Sequence, residues 1–224
     1  MLPVTLTVGP LASADADNIC ASQTPLAAGA MTINGAAASG GVATLDVQRR
    51  VLITSAADDS DITFRITGTN SDNNPIRETI TGGNAAAVYT VQDFKTVTEV
   101  YASAAASGAV TVGTNGVGSS PWKMTNSQHS ASTQITWDCD VSGTVTYGIE
   151  WTNSAINDNQ NQMGGALGNY PTPPVARTLT TLTAKTADAS ASQNNPIQAW
   201  RCVITAGTGS VTVRALEGGM IQGG

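Results

Sequence analysis

The chain has 224 residues, of which 41% are hydrophobic, so its composition excludes a disordered protein and its length suits one large or two small domains. Its 16 acidic residues outnumber its 10 Lys and Arg residues, for a net charge of −6, and this balance argues against nucleic acid as a partner because phosphate binding needs clustered basic side chains. No stretch reaches the roughly 20 apolar residues of a membrane span, so no membrane association is expected.

Low aromatic content shapes the expected core. Only 4% of the residues are aromatic, so Val, Ile, Leu and Ala must fill the interior, and two small β-sandwiches suit that composition better than one thick core. The N-terminus has no Lys or Arg ahead of its apolar residues, whereas a secretory signal would have them. We therefore expect synthesis in a cytoplasm.

Alternation of apolar and polar residues predicts strands throughout the first half. The clearest pair is Asp61–Gly68 and Ile76–Thr81, which the polar turn Thr69–Pro75 joins into a hairpin. The other predicted strands are Ala30–Gly35, Val47–Thr54, Val88–Val91, Lys95–Tyr101 and a closing strand at Gly108–Gly113. No convincing helix is found.

The stretch from Gly116 to Ala131 interrupts this pattern, because it is rich in Gly, Ser, Asn and Gln. We interpret residues 119–132 as a linker. Trp122 and Met124 lie in it, and an apolar pair in a linker is expected to dock on a module or on a partner.

The second half begins with Gln134–Val141 and Thr144–Trp151, which a Ser-Gly turn is predicted to join as a second hairpin. A long polar loop, Asn153–Pro174, follows, and loops of this length are often functional. Its Asn159, Met163 and Tyr170, with Trp122 and Met124, are the candidate partner contacts. The remaining predicted strands are Arg177–Thr186, Ile197–Thr205 and Val211–Leu216.

The sequence therefore predicts an all-β fold of two tandem β-sandwich-like modules, at residues 1–118 and 133–224. Both modules end in the same short sequence, Val-Thr-Val, at Val110–Val112 and Val211–Val213. We predict that these last strands are sheet edges available for assembly. Modules of so few strands also favour a homo-oligomer.

Three cysteines leave two interpretations open. Cys139 and Cys202 lie in phase with the apolar residues of their strands, so they are either two buried thiols or a disulfide between the sheets of the second module, and Cys20 has no counterpart. The spacing of the three does not match a zinc site, and neither a metal nor another cofactor is expected.

Residues suited to catalysis are few. His129 is the single histidine and lies in the predicted linker, which is a poor place for a Ser-His-Asp site because that site needs a histidine held by a carboxylate and close to a nucleophile. Asp58, Asp59 and Asp61 precede a strand, where such residues usually form turns, and Asp72 lies in the Asn-rich hairpin turn. We predict no catalytic residues, while an enzyme that uses Asp58 or Asp61 stays as a third hypothesis.

The four tryptophans raise the alternative of a carbohydrate-binding or adhesion module, since sugar rings stack on exposed indoles. Trp137, Trp151 and Trp200 share phase with apolar neighbours, which favours a core position for them. Trp122 and Tyr170 are thus the plausible exposed aromatic residues.

Several strand-and-turn phrases resemble β-rich virion proteins of tailed bacteriophages. The phrases are Asp17–Pro25, Thr32–Gly35, Ser39–Leu45, Arg50–Ser55, Asp61–Phe64, Ile66–Thr69, Glu78–Gly82, Phe94–Thr98 and Thr208–Val213. The resemblance implies a structural component on the capsid surface or at the head–tail collar, with capsid, portal or tail proteins as partners, and it implies no catalytic residue. The expected location is the virion, after synthesis in the host cytoplasm.

Overall fold

A computed structural model describes residues 4–125, 134–154 and 173–218. These residues form antiparallel strands and one 3-10 turn, which confirms the predicted all-β class. In chain order the elements are β1 (Val4–Val8), β2 (Asp15–Gln23), β3 (Gly29–Ala30), β4 (Ala38–Ser39), β5 (Val42–Ser55), β6 (Thr63–Thr69), β7 (Pro75–Thr81), β8 (Ala87–Ala102), β9 (Val110–Ser119), β10 (Lys123–Met124), β11 (Gln134–Ser142), β12 (Val145–Thr152), β13 (Arg177–Thr178), η1 (Thr180–Leu182), β14 (Ala189–Gln193), β15 (Ala199–Gly207) and β16 (Ser210–Gly218).

The strands form two sheets. The small sheet has the order β1-β16-β11-β14. The large sheet runs β13-β12-β15-β9-β5-β8-β6-β7, with β10 paired to β15, β2 to β9, β3 to β8 and β4 to β5. The large sheet therefore contains strands from both halves of the sequence.

The molecule has two separate hydrophobic cores, formed by the apolar residues that alternate along the strands. The N-terminal core is built around Phe64, Phe94 and Val51, on β6, β8 and β5. The C-terminal core lies between the small sheet and strands β12 and β15 of the large sheet, and it includes Trp137 and Trp200. The three tryptophans predicted to be internal contribute as expected, with Trp151 half-buried against the C-terminal core.

The two predicted hairpins have different outcomes. β6 and β7 pair from Thr63↔Thr81 to Thr69↔Pro75, so the first hairpin is confirmed. The second is wrong, because β11 pairs with β14 and β16 whereas β12 pairs with β13 and β15. The chain crosses from one sheet to the other between them, so that the apolar faces of both strands cover the same core.

The closing strands are not sheet edges, contrary to prediction. β9 lies between β5 and β15, and β16 lies between β1 and β11. Val110 and Val112 are buried in the N-terminal core, and Val211 and Val213 are buried in the C-terminal core. A strand that is apolar on one face gains most from a central position, where both of its edges also find hydrogen-bonding partners.

The first strand belongs to the C-terminal sheet. β1 pairs with β16 from Val4↔Ala215 to Val8↔Val211, and Leu11, just after it, is buried in the C-terminal core, although the N-terminal core is built from residues 19–112. The segment between β1 and β2 is held at Ala12, whose N–H donates to Asp46 (2.6 Å) and whose carbonyl accepts from the buried Arg49. The N-terminus thus ties the two halves together.

The described part of the predicted linker, residues 119–125, lies in the large sheet. Ser119 pairs with Val203, Lys123 with Trp200 and Met124 with Ala199. The backbone N–H of Ser120 donates to the carbonyl of Cys202 (2.9 Å). Residues 126–132, which include His129, are outside the described residues.

The segment predicted as a strand at Arg177–Thr186 is mostly irregular. Arg177–Thr178 pairs with β12, η1 follows with Leu182 buried in the core, and Lys185 forms an isolated antiparallel bridge with Tyr147 of β12. β14, rich in Ala and Ser, was not predicted because its apolar residues are too small to give a clear alternation. Since η1 is the one helical segment in the described part of the chain, no helix there could span a membrane.

Candidate functional site

A cleft of about 380 Å³ lies where the two halves meet. Its charged lining residues are Arg50, Asp72, Asp93, Glu150 and Arg201. Its apolar lining residues are Ile76, Val91, Pro121, Trp122, Pro173, Pro174, Val175 and Ala176. Strands β5, β8, β12 and β15 thus supply most of the charges, while the segments next to β10 and β13 supply most of the apolar surface.

Buried ion pairs form one wall of the cleft and join the two halves. Arg201 on β15 donates from Nη1 to Asp93 Oδ2 on β8 (2.7 Å). The same guanidinium donates from Nε and Nη2 to Glu150 Oε2 on the neighbouring β12, both at 2.8 Å. Arg201 and Asp93 are almost fully buried, so their charges need compensation inside the protein, which this pair and Glu150 provide.

Asp93 is also the end of a hydrogen-bonded chain from the N-terminal half. Gln48 Nε2 donates to Ser119 Oγ (2.9 Å), and that hydroxyl donates to Asp93 Oδ2 (2.7 Å). Gln48 Oε1 accepts from the backbone N–H of Ser71 (3.2 Å), in the β6–β7 turn. Asp93 Oδ1 accepts no hydrogen bond and lies 3.8 Å from Arg50 Nε. This series of hydrogen bonds connects the β6–β7 turn to the ion pairs of Arg201.

Trp122 lies half-buried in the cleft, with its ring against a charged side chain. The guanidinium carbon of Arg201 is 4.7 Å from the centre of the indole, a distance typical of a cation–π contact. Met124, two residues on, does not line the cleft, and its side chain is 51% exposed on the neighbouring β10. The structure therefore places the first of these predicted contacts in the cleft and the second on nearby surface.

The rim of the cleft exposes apolar side chains. Val91 is 59% exposed and Val175 is 66% exposed, on opposite halves of the chain. Glu78 supports the β8 backbone behind Val91, since its two carboxylate oxygens accept from the N–H groups of Val91 and Gln92, both at 2.8 Å. Burial raises the pKa of Glu78 above its ordinary value, and these hydrogen bonds oppose the rise.

The remaining predicted contacts, Asn159, Met163 and Tyr170, lie outside the described residues. The carboxylates considered for catalysis include one that forms a local turn and one that bonds a distant segment. Asp58 accepts from the N–H and hydroxyl of Ser60, and Asp59 accepts from the N–H of Ser107 (2.7 Å). The turn at Asp72 is organised by Asn70, whose side-chain oxygen accepts from two backbone N–H groups.

Sequence reasoning missed the charged residues of the cleft. Arg201 lies within the apolar run Ala199–Thr205 and Asp93 lies between two predicted strands, so their pairing is invisible along the sequence. The available signal was Arg201 itself, because an arginine inside an apolar strand needs a buried partner. Within residues 4–125, 134–154 and 173–218, no three His, Cys, Asp or Glu side chains come together.

Within the cleft, charged and apolar surfaces lie side by side. The guanidinium of Arg201 pairs with the carboxylates of both Asp93 and Glu150. A rigid polar wall beside exposed Val and Pro surface suits the binding of another molecule. No protein-family model matches the sequence, and no curated protein matches it either.

Proposed function

We propose that the chain is a structural component of a tailed-phage virion, a capsid decoration or head–tail collar protein that acts through protein–protein contacts. The strand-and-turn phrases that resemble phage virion proteins support this class. The structural observation that carries the proposal is the cleft, where buried ion pairs hold the two halves together beside exposed apolar side chains. A mechanically coupled body with an apolar contact surface suits a particle component.

The proposed partners are capsid, portal or tail proteins, and a further copy of the chain. Among the described strands, β1 and β14 end the small sheet and β13 and β7 end the large sheet, and we propose that these edges supply backbone groups for pairing. The apolar rim at Val91 and Val175 is the proposed centre of the contact.

The test is incorporation into particles. Purified virions analysed by mass spectrometry and cryo-EM should contain the protein at a defined position. The double variant Val91→Asp with Val175→Asp places charges at the rim. It should reduce the number of copies of the protein per virion at least tenfold. The control Leu26→Asp, at a side chain that is 87% exposed and does not line the cleft, should leave incorporation unchanged. Absence of the unmodified protein from virions would refute the proposal.

A second candidate is glycan binding, in an adhesion or carbohydrate-binding module. The observation that favours it is the position of Trp122, whose indole lines the cleft beside the amides of Gln92 and Asn70 and the carboxylate of Asp72. Such planar polar groups can hydrogen-bond sugar hydroxyls beside a ring platform. Glycan-array binding that Trp122→Ala or Tyr170→Ala abolishes, and Met124→Ala preserves, would favour this function. An array without any bound glycan would exclude the tested sugars.

A further inference from the structure

Two buried cysteines lie on facing sheets of the C-terminal core. Cys139 is on β11 of the small sheet and Cys202 is on β15 of the large sheet, and neither side chain is exposed. Both are thiols in this structure, as is Cys20. The geometry of β11 and β15 decides whether the thiols of Cys139 and Cys202 can approach each other.

The two strands run in the same direction. β11 leads through Gly143 into β12, which crosses to the large sheet and runs antiparallel to β15. The β15–β16 connection crosses at the same end of the sandwich, where the N–H of Gly209 donates to the carbonyl of Thr144 (2.8 Å). Equal steps along β11 and β15 therefore move both side chains the same way through the core.

A pair of tryptophans fixes the offset between these strands. The rings of Trp137 and Trp200 meet edge to face across the core, with centroids 6.1 Å apart and an interplanar angle of 76°. Two residues further along each strand, on the same inward face, are Cys139 and Cys202. The register that brings the indoles together thus brings the two thiols toward each other.

The electrostatics of the core agree with this proximity. Burial raises the pKa of Cys202, and the nearby Cys139 raises it further. Burial also raises the pKa of Cys139 to about 11, while a hydrogen bond with Tyr147 opposes that rise. Both groups therefore stay protonated and unreactive at neutral pH while the core is closed.

We infer that Cys139 and Cys202 are an inter-sheet pair that forms a disulfide when the protein folds or opens in the presence of a small-molecule disulfide, such as oxidised glutathione. One cysteine thiolate attacks the small disulfide, which forms a mixed disulfide and releases one small thiol. The second cysteine thiolate then attacks the protein-bound sulfur and releases the second small thiol. The two cysteines lose two electrons and two protons in total, and the small disulfide gains both.

Cys20 provides an internal control. It is buried in the N-terminal core, away from this pair, so it should stay reduced. The inference does not depend on the proposed function, since it concerns the core alone and its outcome is the same whether or not the protein enters virions.

The experiment refolds the full-length, reduced chain in a glutathione redox buffer and, in parallel, in dithiothreitol. Alkylation in denaturant followed by mass spectrometry should find one modified cysteine after oxidative refolding, Cys20, and three after reducing refolding. Peptide mapping should identify the Cys139–Cys202 link. The oxidised protein should melt roughly 5–10 °C higher, because the link closes a long loop in the unfolded chain.

The Cys20→Ser variant should keep both the link and the gain in melting temperature, whereas Cys139→Ala and Cys202→Ala should lose both. Three alkylated cysteines after oxidative refolding of the unmodified chain would overturn the inference. A stable glutathione adduct, or a link that includes Cys20, would overturn it equally. These readouts use the unmodified chain, so they hold even if a substituted core folds poorly.

Discussion

At the scale of single residues, burial decides which ion pairs matter. Arg201 and Asp93 lie almost fully inside the protein, whereas Arg214 pairs with Asp138 and Asp140 on an exposed face of the small sheet. A buried charge that loses its partner keeps the full cost of its desolvation, while an exposed charge is rehydrated. The two groups of ion pairs should therefore respond very differently to truncation.

We expect Asp93→Ala to lower the free energy of unfolding by at least about 2 kcal/mol, because it removes the buried acceptor of the Ser119 hydroxyl and leaves Arg201 with Glu150 alone. The matched variant Asp140→Ala, at the exposed face, should cost less than about 1 kcal/mol. Urea unfolding followed by tryptophan fluorescence measures both. Equal losses would show that the cleft pairs contribute no more than surface pairs.

Glu78 should give the protein a pH-dependent component of stability. Because its pKa is raised in the folded state, the folded protein binds this proton more tightly than the unfolded chain does. Its contribution therefore favours folding at low pH and is lost as the pH rises from its ordinary pKa of 4.5 through the higher folded pKa.

The comparison with Glu78→Gln isolates this effect, because the amide does not titrate. Unfolding free energies measured at a series of pH values from 4 upward should fall more steeply for the unmodified protein than for the variant. Parallel curves would mean that Glu78 titrates alike in both states.

At the scale of elements, the connections of the C-terminal half cross between sheets. The β11–β12 and β15–β16 connections meet at one end of the sandwich, where glycines allow the backbones to approach. Gly207 has a φ of +88°, and a Cβ atom there would lie 2.2 Å from the carbonyl oxygen of Thr144. Only glycine tolerates both conditions.

Gly207→Ala should therefore destabilise the protein by about 1–3 kcal/mol from the backbone conformation alone, with the steric clash adding to that cost. Gly116→Ala is the matched control, because no atom lies within 4 Å of its Cβ position and its φ is not positive. Thermal unfolding should show a clear drop in midpoint for the first variant and little change for the second. A tolerated Gly207→Ala would mean that the connection can rearrange.

At the scale of the whole molecule, the N-terminal strand stabilises the C-terminal core. Val8 is buried beside Leu11 in that core, although more than a hundred residues separate it from β11. The Ala12 contacts with Asp46 and Arg49 hold the intervening chain. The two halves should consequently unfold together.

We expect Val8→Ala to cost about 1–3 kcal/mol and to lower the stability reported by Trp137 and Trp200, because it leaves a cavity in their core. Val4→Ala, on the same strand but exposed, should change stability by less than about 0.5 kcal/mol. Tryptophan fluorescence during urea unfolding measures the C-terminal core directly. An unchanged midpoint for Val8→Ala would show that β1 contributes little to this core.

Local sequence determined the class of the fold and the faces of most strands. Alternation placed Phe64 and Ile66 on one face of β6, and Trp137 and Cys139 on one face of β11, and those faces are buried. The β6–β7 hairpin was predictable because its turn is long, polar and flanked by matching strands. These features depend on neighbours along the chain, so the sequence carries them directly.

Only the tertiary structure decided which strands pair and where the cleft lies. The turn at Ser142–Gly143 is compatible with a hairpin and with a crossing between sheets, and burial of both apolar faces in one core selects the crossing. Likewise, Asp93 and Arg201 lie 108 residues apart in the sequence, and they pair in the structure because a buried charge needs an opposite charge beside it. Such choices follow from the free energy of the whole packed molecule, which no local pattern of residues contains.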